Sequence, residues 1–260
     1  MRDILDLERF PLDSPDSAEW QALVHQCQAD LENDGMFNLQ GLMRPRIAAT
    51  AVAGMLPRFE TESFLHERSH NIYFNKVDGL SNDHPALQEF KTSNRTLCAD
   101  QIPGSPLLRL YEWADFARFL ATTMDVPNLY PMDDPLARVN VMSYQTGQAL
   151  NWHFDRSEFT TTLLLQAPDQ GGEFEYRTDL RSDDDPNYEG VAKLLRGEDR
   201  ESKVISLSPG TLNVFKGKNT AHRVTPVGGN RARVIAVFSY YENPGVSFSE
   251  SERIGFYGRA

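Results

Sequence analysis

The chain has 260 residues, of which 40% are hydrophobic and 24% charged, proportions that fit an ordinary globular protein and exclude a disordered or fibrous one. A formal charge of −11 repels phosphate backbones and anionic lipid, so neither nucleic acid nor a membrane surface is an expected partner. No apolar run nears the roughly 20 residues of a membrane span, and the first residues lack a signal-peptide pattern. Two cysteines, Cys27 and Cys98, cannot form a disulfide framework, which leads to the expectation of a cytoplasmic protein.

The length suits one domain spanning 1–260, read as a helical scaffold and pocket wall over 1–137, a catalytic core over 138–243 and a C-terminal tail over 244–260. Trp20, Leu23, Val24, Cys27 and Leu31 recur at helical spacing after the capping oxygens of Ser14 to Asp16, so a helix is expected over 17–33 with Gly35 as its stop. A strand over 36–42 and an alanine-rich helix over about 44–56 follow. The segment 64–74 reads as a strand on the β-forming residues Ile72, Tyr73 and Phe74; it also carries His66, Arg68 and His70, which makes it a candidate wall of a substrate pocket. One long helix is expected over about 107–124, with Leu110, Trp113, Phe116 and Leu120 on one stripe.

From Arg138 the period changes from helical to alternating. Strands are expected over 139–144, 160–166, 172–177, 204–207, 212–215, 221–224 and 231–241, with a helical insertion over 187–198. Many short strands separated by Gly, Pro and Asp clusters argue for an α+β, mainly β chain: a double-stranded β-helix, or jelly roll, with packed N-terminal helices.

Within that core, His153 and Asp155 are separated by one residue, and His222 lies 67 residues beyond Asp155. Two imidazoles and a carboxylate on one face of an octahedral ion leave the opposite face open, which is how non-haem Fe(II) oxygenases hold a co-substrate and O2. A bare His-x-Asp is common in any chain, and the surrounding residues are what lend it weight.

His153-x-Asp155, the Gly171-Gly172-Glu173 hairpin, Pro209-Gly210 leading to Phe215, and His222-x-Val224-x-Pro226-Val227 with Arg231 resemble the Fe(II)/2-oxoglutarate-dependent oxygenases of the prolyl-hydroxylase-like type. The resemblance implies Fe(II) on His153, Asp155 and His222, with 2-oxoglutarate and O2 as co-substrates. It also implies Arg231 as the anchor of the 2-oxoglutarate distal carboxylate. On the last strand Arg231 and Arg233 share a face by the period of two, and an inward guanidinium needs an anion; Arg233 is the alternative if the register slips. Tyr144 and Thr162 are candidate hydroxyl partners for the same carboxylate.

The opening Leu5 to Asp13, the stretch His70-Asn71-Ile72-Tyr73-Phe74 and the run Arg156-Ser157-Glu158-Phe159 are similar to the bacterial group that holds free-amino-acid radical halogenases and their hydroxylating relatives. Halogenases of that group carry Gly where this chain has Asp155, so the resemblance implies a hydroxylase whose small-molecule substrate is a free amino acid. Lysine-acting members have an acidic residue where Arg156 stands, which disfavours lysine. Arg68, Arg156 and Ser239 are the candidate substrate contacts. Two alternatives remain open: a peptidyl hydroxylase acting on a protein, and a non-catalytic jelly-roll metal- or ligand-binding module. The residues give no oligomeric state.

Overall fold

The computed structural model describes residues 1–260. Its strands are β1 (Met36–Leu39), β2 (Phe64–His70), β3 (Phe90–Leu97), β4 (Tyr130–Pro131), β5 (Val139–Tyr144), β6 (Leu150–His153), β7 (Thr160–Gln166), β8 (Gln170–Gly171), β9 (Phe174–Arg177), β10 (Lys203–Ile205), β11 (Leu212–Phe215), β12 (Ala221–Val224), β13 (Val227–Gly228), β14 (Arg233–Phe238) and β15 (Tyr240–Tyr241). Its helices are α1 (Ala18–Asp34), α2 (Pro45–Thr61), α3 (Pro106–Tyr111), α4 (Ala114–Thr123), α5 (Tyr188–Leu195) and α6 (Glu250–Tyr257). A seven-stranded sheet runs β1-β11-β7-β14-β5-β3-β2, and a four-stranded sheet runs β10-β9-β12-β6. Paired strands are antiparallel throughout both sheets. This is the expected jelly-roll core with packed helices.

Alternation along the large sheet decides what each face does. One face presents Val139, Val141, Leu163, Leu165, Val234 and Ala236 to the helices, in an apolar cluster of 38 buried residues that includes Trp20, Val24, Val52 and Phe119. The main core therefore lies between sheet and helices, and the barrel interior is free to be polar. The opposite face carries Asn140, Tyr144, Thr162, Asn213 and Arg233, all buried. The small sheet is backed by α5 and the loop after β2, through Trp152, Phe154, Val191, Leu194 and Ile72.

The strand expected over 64–74 ends at His70, strand β3 lies where none was expected, and three helical elements also differ from the sequence reading. Helix α2 continues through Pro57 to Thr61: proline forfeits one backbone bond there, but the next turn buries Phe59. The long helix expected over 107–124 is two, because Trp113 takes an extended conformation (φ −80°, ψ 117°) as the N-cap of α4. The break leaves Tyr111 at the end of α3, where its hydroxyl donates to the Ser239 carbonyl and accepts from the Met132 amide.

Residues 244–260, expected as a tail, contain α6. It opens with a capping box between Ser249 and Glu252 and is tied down by Asp134, which is fully buried. That carboxylate accepts from the amides of Leu136, Ala137 and Phe248, the Ser247 hydroxyl and Arg253 Nε. The Tyr257 hydroxyl donates to Asn140 Oδ1 on the barrel's inner face.

Candidate metal and co-substrate site

Strand β6 ends at His153, and β12 pairs with it so that His153 stands directly opposite His222. Residues opposite one another in an antiparallel pair share a face, which is why two histidines 69 positions apart in the numbering meet. Their ring centroids lie 4.1 Å apart at an interplanar angle of 55°. Nδ1 of His153 bonds the Asn151 carbonyl at 2.8 Å, and Nδ1 of His222 bonds the Thr220 carbonyl at 3.0 Å. A carbonyl only accepts, so both Nδ1 atoms carry the proton and both Nε2 atoms present lone pairs.

Those two Nε2 atoms converge on Asp155. His153 Nε2 lies 3.4 Å from Oδ1 and His222 Nε2 lies 3.4 Å from Oδ2. One ligand atom from each of the three residues falls within 4.8 Å of the others. Burial, and then the neighbouring His222, hold His153 below its ordinary range, which favours the neutral, ligating form. Burial pushes Asp155 up, but the two imidazoles beside it, His222 first, outweigh that and hold the carboxyl well below the usual range. Two neutral imidazoles with lone pairs aimed at one carboxylate form a donor set that fits a divalent ion of the Fe(II) type.

Asp155 lies just beyond β6 and is itself held. Its amide donates to the Gly217 carbonyl at 3.1 Å, and Thr160 Oγ1 donates to Oδ2 at 2.5 Å. A Cβ at Gly217 would stand 2.5 Å from Oδ2, so only glycine fits against the carboxylate. Neither Thr160 nor Gly217 is singled out in the sequence; Thr160 reads there only as the first residue of a strand.

The arginines exchange places relative to expectation. Arg231 lies before β14, with a side chain 55% exposed and Nε 3.3 Å from Asp169 Oδ1; the amides of Asn230 and Arg231 both donate to Asp169 Oδ2. The turn between β13 and β14 holds it outside the barrel. Arg233, the register alternative, is 3% exposed and sits opposite Tyr144, its guanidinium 5.8 Å from that ring. No carboxylate lies within 4.0 Å of Arg233, and burial pulls its pKa down to about 10. Arg233 borders a cavity of 290 Å³, lined also by Leu164, Phe174, Leu207 and the Gly171-Gly172 hairpin. Gly172 is required there: its φ is +64°, and a Cβ would stand 2.7 Å from Pro168 and 3.1 Å from the Arg233 side chain.

Other polar groups near this face lack strong partners. The Tyr144 hydroxyl meets only Met142 Sδ, at 3.6 Å, and burial raises its pKa to about 12. Thr162 is buried and donates to the Asn213 carbonyl at 3.3 Å, while the buried Asn213 Oδ1 has no hydrogen-bond partner. A buried cation without an anion and a phenol without an oxygen partner, both donors, fit a small dicarboxylate co-substrate.

At the metal side, Phe74 packs its edge on His153 at 5.5 Å and its face on His70 at 4.3 Å. It adopts a left-handed backbone (φ 56°), held by the Asn71 turn in which the Tyr73 amide donates to Asn71 Oδ1 and Asn71 Nδ2 donates to the Asn75 carbonyl. The Arg68 guanidinium lies 4.3 Å over this ring with no acid within 4.0 Å, so the structure brings Arg68 towards the triad. Arg156 is mostly exposed, 3.7 Å from Glu252 and 5.9 Å over Phe256, both on α6. Ser239 uses its hydroxyl proton on the Ala137 carbonyl at 3.2 Å and its carbonyl on Tyr111, a structural assignment instead of the expected substrate contact.

A jelly roll with a His-x-Asp and a distal His at its centre defines the 2-oxoglutarate-Fe(II) oxygenase fold, and solved structures bear this out. AviO1 from Streptomyces viridochromogenes Tue57 is similar at a TM-score of 0.56 and 18% identity, over 85% of this chain and 96% of that one. A 2OG-Fe(II) oxygenase family oxidoreductase from Burkholderia pseudomallei is similar at 0.51 and 16%, over 86% and 92%. A Pseudomonas putida prolyl-4-hydroxylase is similar at 0.51 and 15%, over 83% and 97%. No curated protein matches the chain. The family model described as Halogenase D matches residues 87–252, and the chain belongs to that family.

Proposed function

We propose that this single-domain protein is an Fe(II)- and 2-oxoglutarate-dependent hydroxylase of a free amino acid or similar small metabolite. The observation that carries the reading is the trio in which the Nε2 atoms of two buried histidines, their tautomers set by backbone carbonyls, converge on a half-buried, ionised Asp155. His153, Asp155 and His222 would hold the iron. Fe(II) bound with 2-oxoglutarate and O2 supplies oxidation of an unactivated C–H bond, with release of succinate and CO2. Although the family is described by halogenation, Asp155 fills the position that glycine takes in the halogenases, which leaves no vacated ligand site for a halide and favours hydroxylation.

Arg233, rather than Arg231, would fork onto the distal carboxylate of 2-oxoglutarate, with Tyr144 as its hydroxyl partner and Thr162 and Asn213 beside it. Buried guanidinium and carboxylate relieve each other's desolvation, and two parallel hydrogen bonds fix the co-substrate's orientation. The Phe174 and Phe215 rings against His222, at 5.6 and 4.8 Å, exclude water from that side of the ligand set.

Arg68, laid flat on Phe74, would take the substrate carboxylate. The charged groups around it are basic: burial first, and then Arg156, hold Arg68 below its ordinary range. A cationic side chain finds no free acid there, so the reading favours a neutral or acidic amino acid over lysine. Helix α6, pinned beside the mouth through Arg156 and Glu252, narrows the approach and favours a small molecule over a peptide. No helix is long and apolar enough to cross a membrane, and the buried, unpaired Cys27 and Cys98 support a reducing, cytoplasmic setting.

The test is succinate release under Fe(II), 2-oxoglutarate and O2, screened across lysine, ornithine, leucine, glutamine, aspartate and glutamate with product mass measured. A product heavier by one oxygen supports the reading. Absence of succinate with every substrate favours a binding module, and a clear preference for lysine unaffected by Arg156→Ala overturns the substrate inference.

A further inference from the structure

We propose that Thr160 and Gly217 are positioning residues that make Asp155 a one-oxygen ligand and so keep a coordination position open for co-substrate. The inference rests on the proposed function and concerns residues to which no role has been given above. Thr160 begins β7 and Gly217 follows β11, so two different strands of the large sheet close on a carboxylate that extends from the small one.

A carboxylate has two oxygens, and a flexible Asp side chain can offer either or both to a cation. Here the two oxygens are not equivalent. Oδ2 accepts the Thr160 hydroxyl at 2.5 Å and would lie 2.5 Å from any Cβ at position 217, with the Thr160 oxygen itself 2.8 Å from that Cβ. Each oxygen lies 3.4 Å from one Nε2, Oδ1 from His153 and Oδ2 from His222, so the difference between them is the Thr160 hydroxyl: Oδ1 accepts no hydrogen bond from the protein. The Asp155 amide is fixed by the Gly217 carbonyl at 3.1 Å, so side chain and backbone are clamped from the same place. One oxygen is therefore committed to the protein and the other left to ligate.

Counting positions shows why this matters. An octahedral ion with three protein donors has three positions left, two for a chelating 2-oxo acid and one for O2. A carboxylate released from Thr160 could swing to give both oxygens, and the added donor would compete for one of those three. The residues argued to act on the metal through Asp155 should then affect 2-oxoglutarate chelation more than they affect metal affinity.

The experiment uses the full chain under anaerobic conditions. Fe(II) affinity is measured by titration, and 2-oxoglutarate chelation by the visible metal-to-ligand charge-transfer band that forms when the co-substrate is added. Wild type must bind Fe(II) and give the band; failure at that step counts against the proposed function and not against this inference. For Thr160→Val, Fe(II) affinity should stay within about threefold of wild type while 2-oxoglutarate affinity read from the band falls by about 10- to 100-fold, the usual range for loss of an outer partner of a metal ligand. Thr160→Ser should restore the band, because it keeps the hydroxyl and drops only the methyl. Gly217→Ala, which pushes on the same oxygen from the other side, should weaken the band as well, so the proposal does not depend on one variant. Thr160→Val with wild-type band and affinity overturns it. So does Thr160→Ser failing as Thr160→Val does, which would assign Thr160 a packing role only.

Discussion

Replacing Arg233 by methionine tests the co-substrate assignment through stability, which should rise, and affinity for 2-oxoglutarate, which should fall. The guanidinium is 3% exposed, has no acid beside it, and burial lowers its pKa from 12.5 to about 10. A shift of that size corresponds to roughly 3 kcal/mol of penalty on the charged form. Methionine fills much of the same space without the charge, so the protein free of co-substrate should become more stable. At ~2–4 °C per kcal/mol for a chain of this size, Tm should rise by several degrees. The same substitution removes a charge-assisted fork worth about 1.5–3 kcal/mol, so KM for 2-oxoglutarate should rise by about tenfold or more. Differential scanning fluorimetry and succinate kinetics read the two effects, with Arg231→Ala as the comparison. The Arg231 side chain is half-exposed and paired with Asp169, and exposed pairs contribute about 0–1 kcal/mol, so neither quantity should change much. A fall in Tm for Arg233→Met together with an unchanged KM, or a KM effect carried by Arg231→Ala, refutes the reasoning.

His222→Ala should abolish iron-dependent turnover while far-UV circular dichroism stays that of the wild type, because the ring is a donor and not a structural support; retained activity excludes it as a ligand. Acidification should destabilise the apo protein from about pH 6.5 downwards. His153, His66 and His70 are all held below 6.5, chiefly by burial. As pH falls through 6.5 the unfolded chain takes up protons that the folded one refuses, so stability is lost over the window between 6.5 and the depressed folded values. Melting temperatures that are flat or rising between pH 7.5 and 5.5 would count against these burials. Asp134→Ala should cost about 3–5 kcal/mol, since it leaves Arg253 and three amides without their buried acceptor; an unchanged denaturant midpoint would show that α6 is not anchored there.

Much of the architecture is legible in local pattern. The helix at 17–33 could be read because its stripe and cap are local, and Val139, Val141, Leu163 and Leu165 show their alternation openly. Strand β3 escaped notice because Lys91 to Thr96 is polar at almost every position. Its inner residues Thr92, Asn94 and Thr96 are buried, but burial of polar residues against a polar barrel lining leaves no hydrophobic period to detect. Helix α6 was hidden for a related reason: it is held by one carboxylate more than a hundred residues earlier, and Tyr257 is its only buried residue.

For the site, the sequence alone picked out the candidate donors, because His-x-Asp at a strand end followed by a distant His is a chemical pattern written in residue types. It also narrowed the anion anchor to Arg231 or Arg233. Only the tertiary structure separates their surroundings, Arg233 buried and Arg231 turned outward towards Asp169, a partner 62 residues away. It also set both imidazole tautomers through backbone carbonyls, seated Arg68 on Phe74, and brought Thr160 and Gly217 together on one oxygen of Asp155. The meeting of Thr160, Gly217 and Asp155 joins different strands through register and packing, whereas each imidazole is set by a carbonyl two residues earlier and Arg68 reaches Phe74 across the turn after β2; no hydrophobic period in the chain encodes any of them.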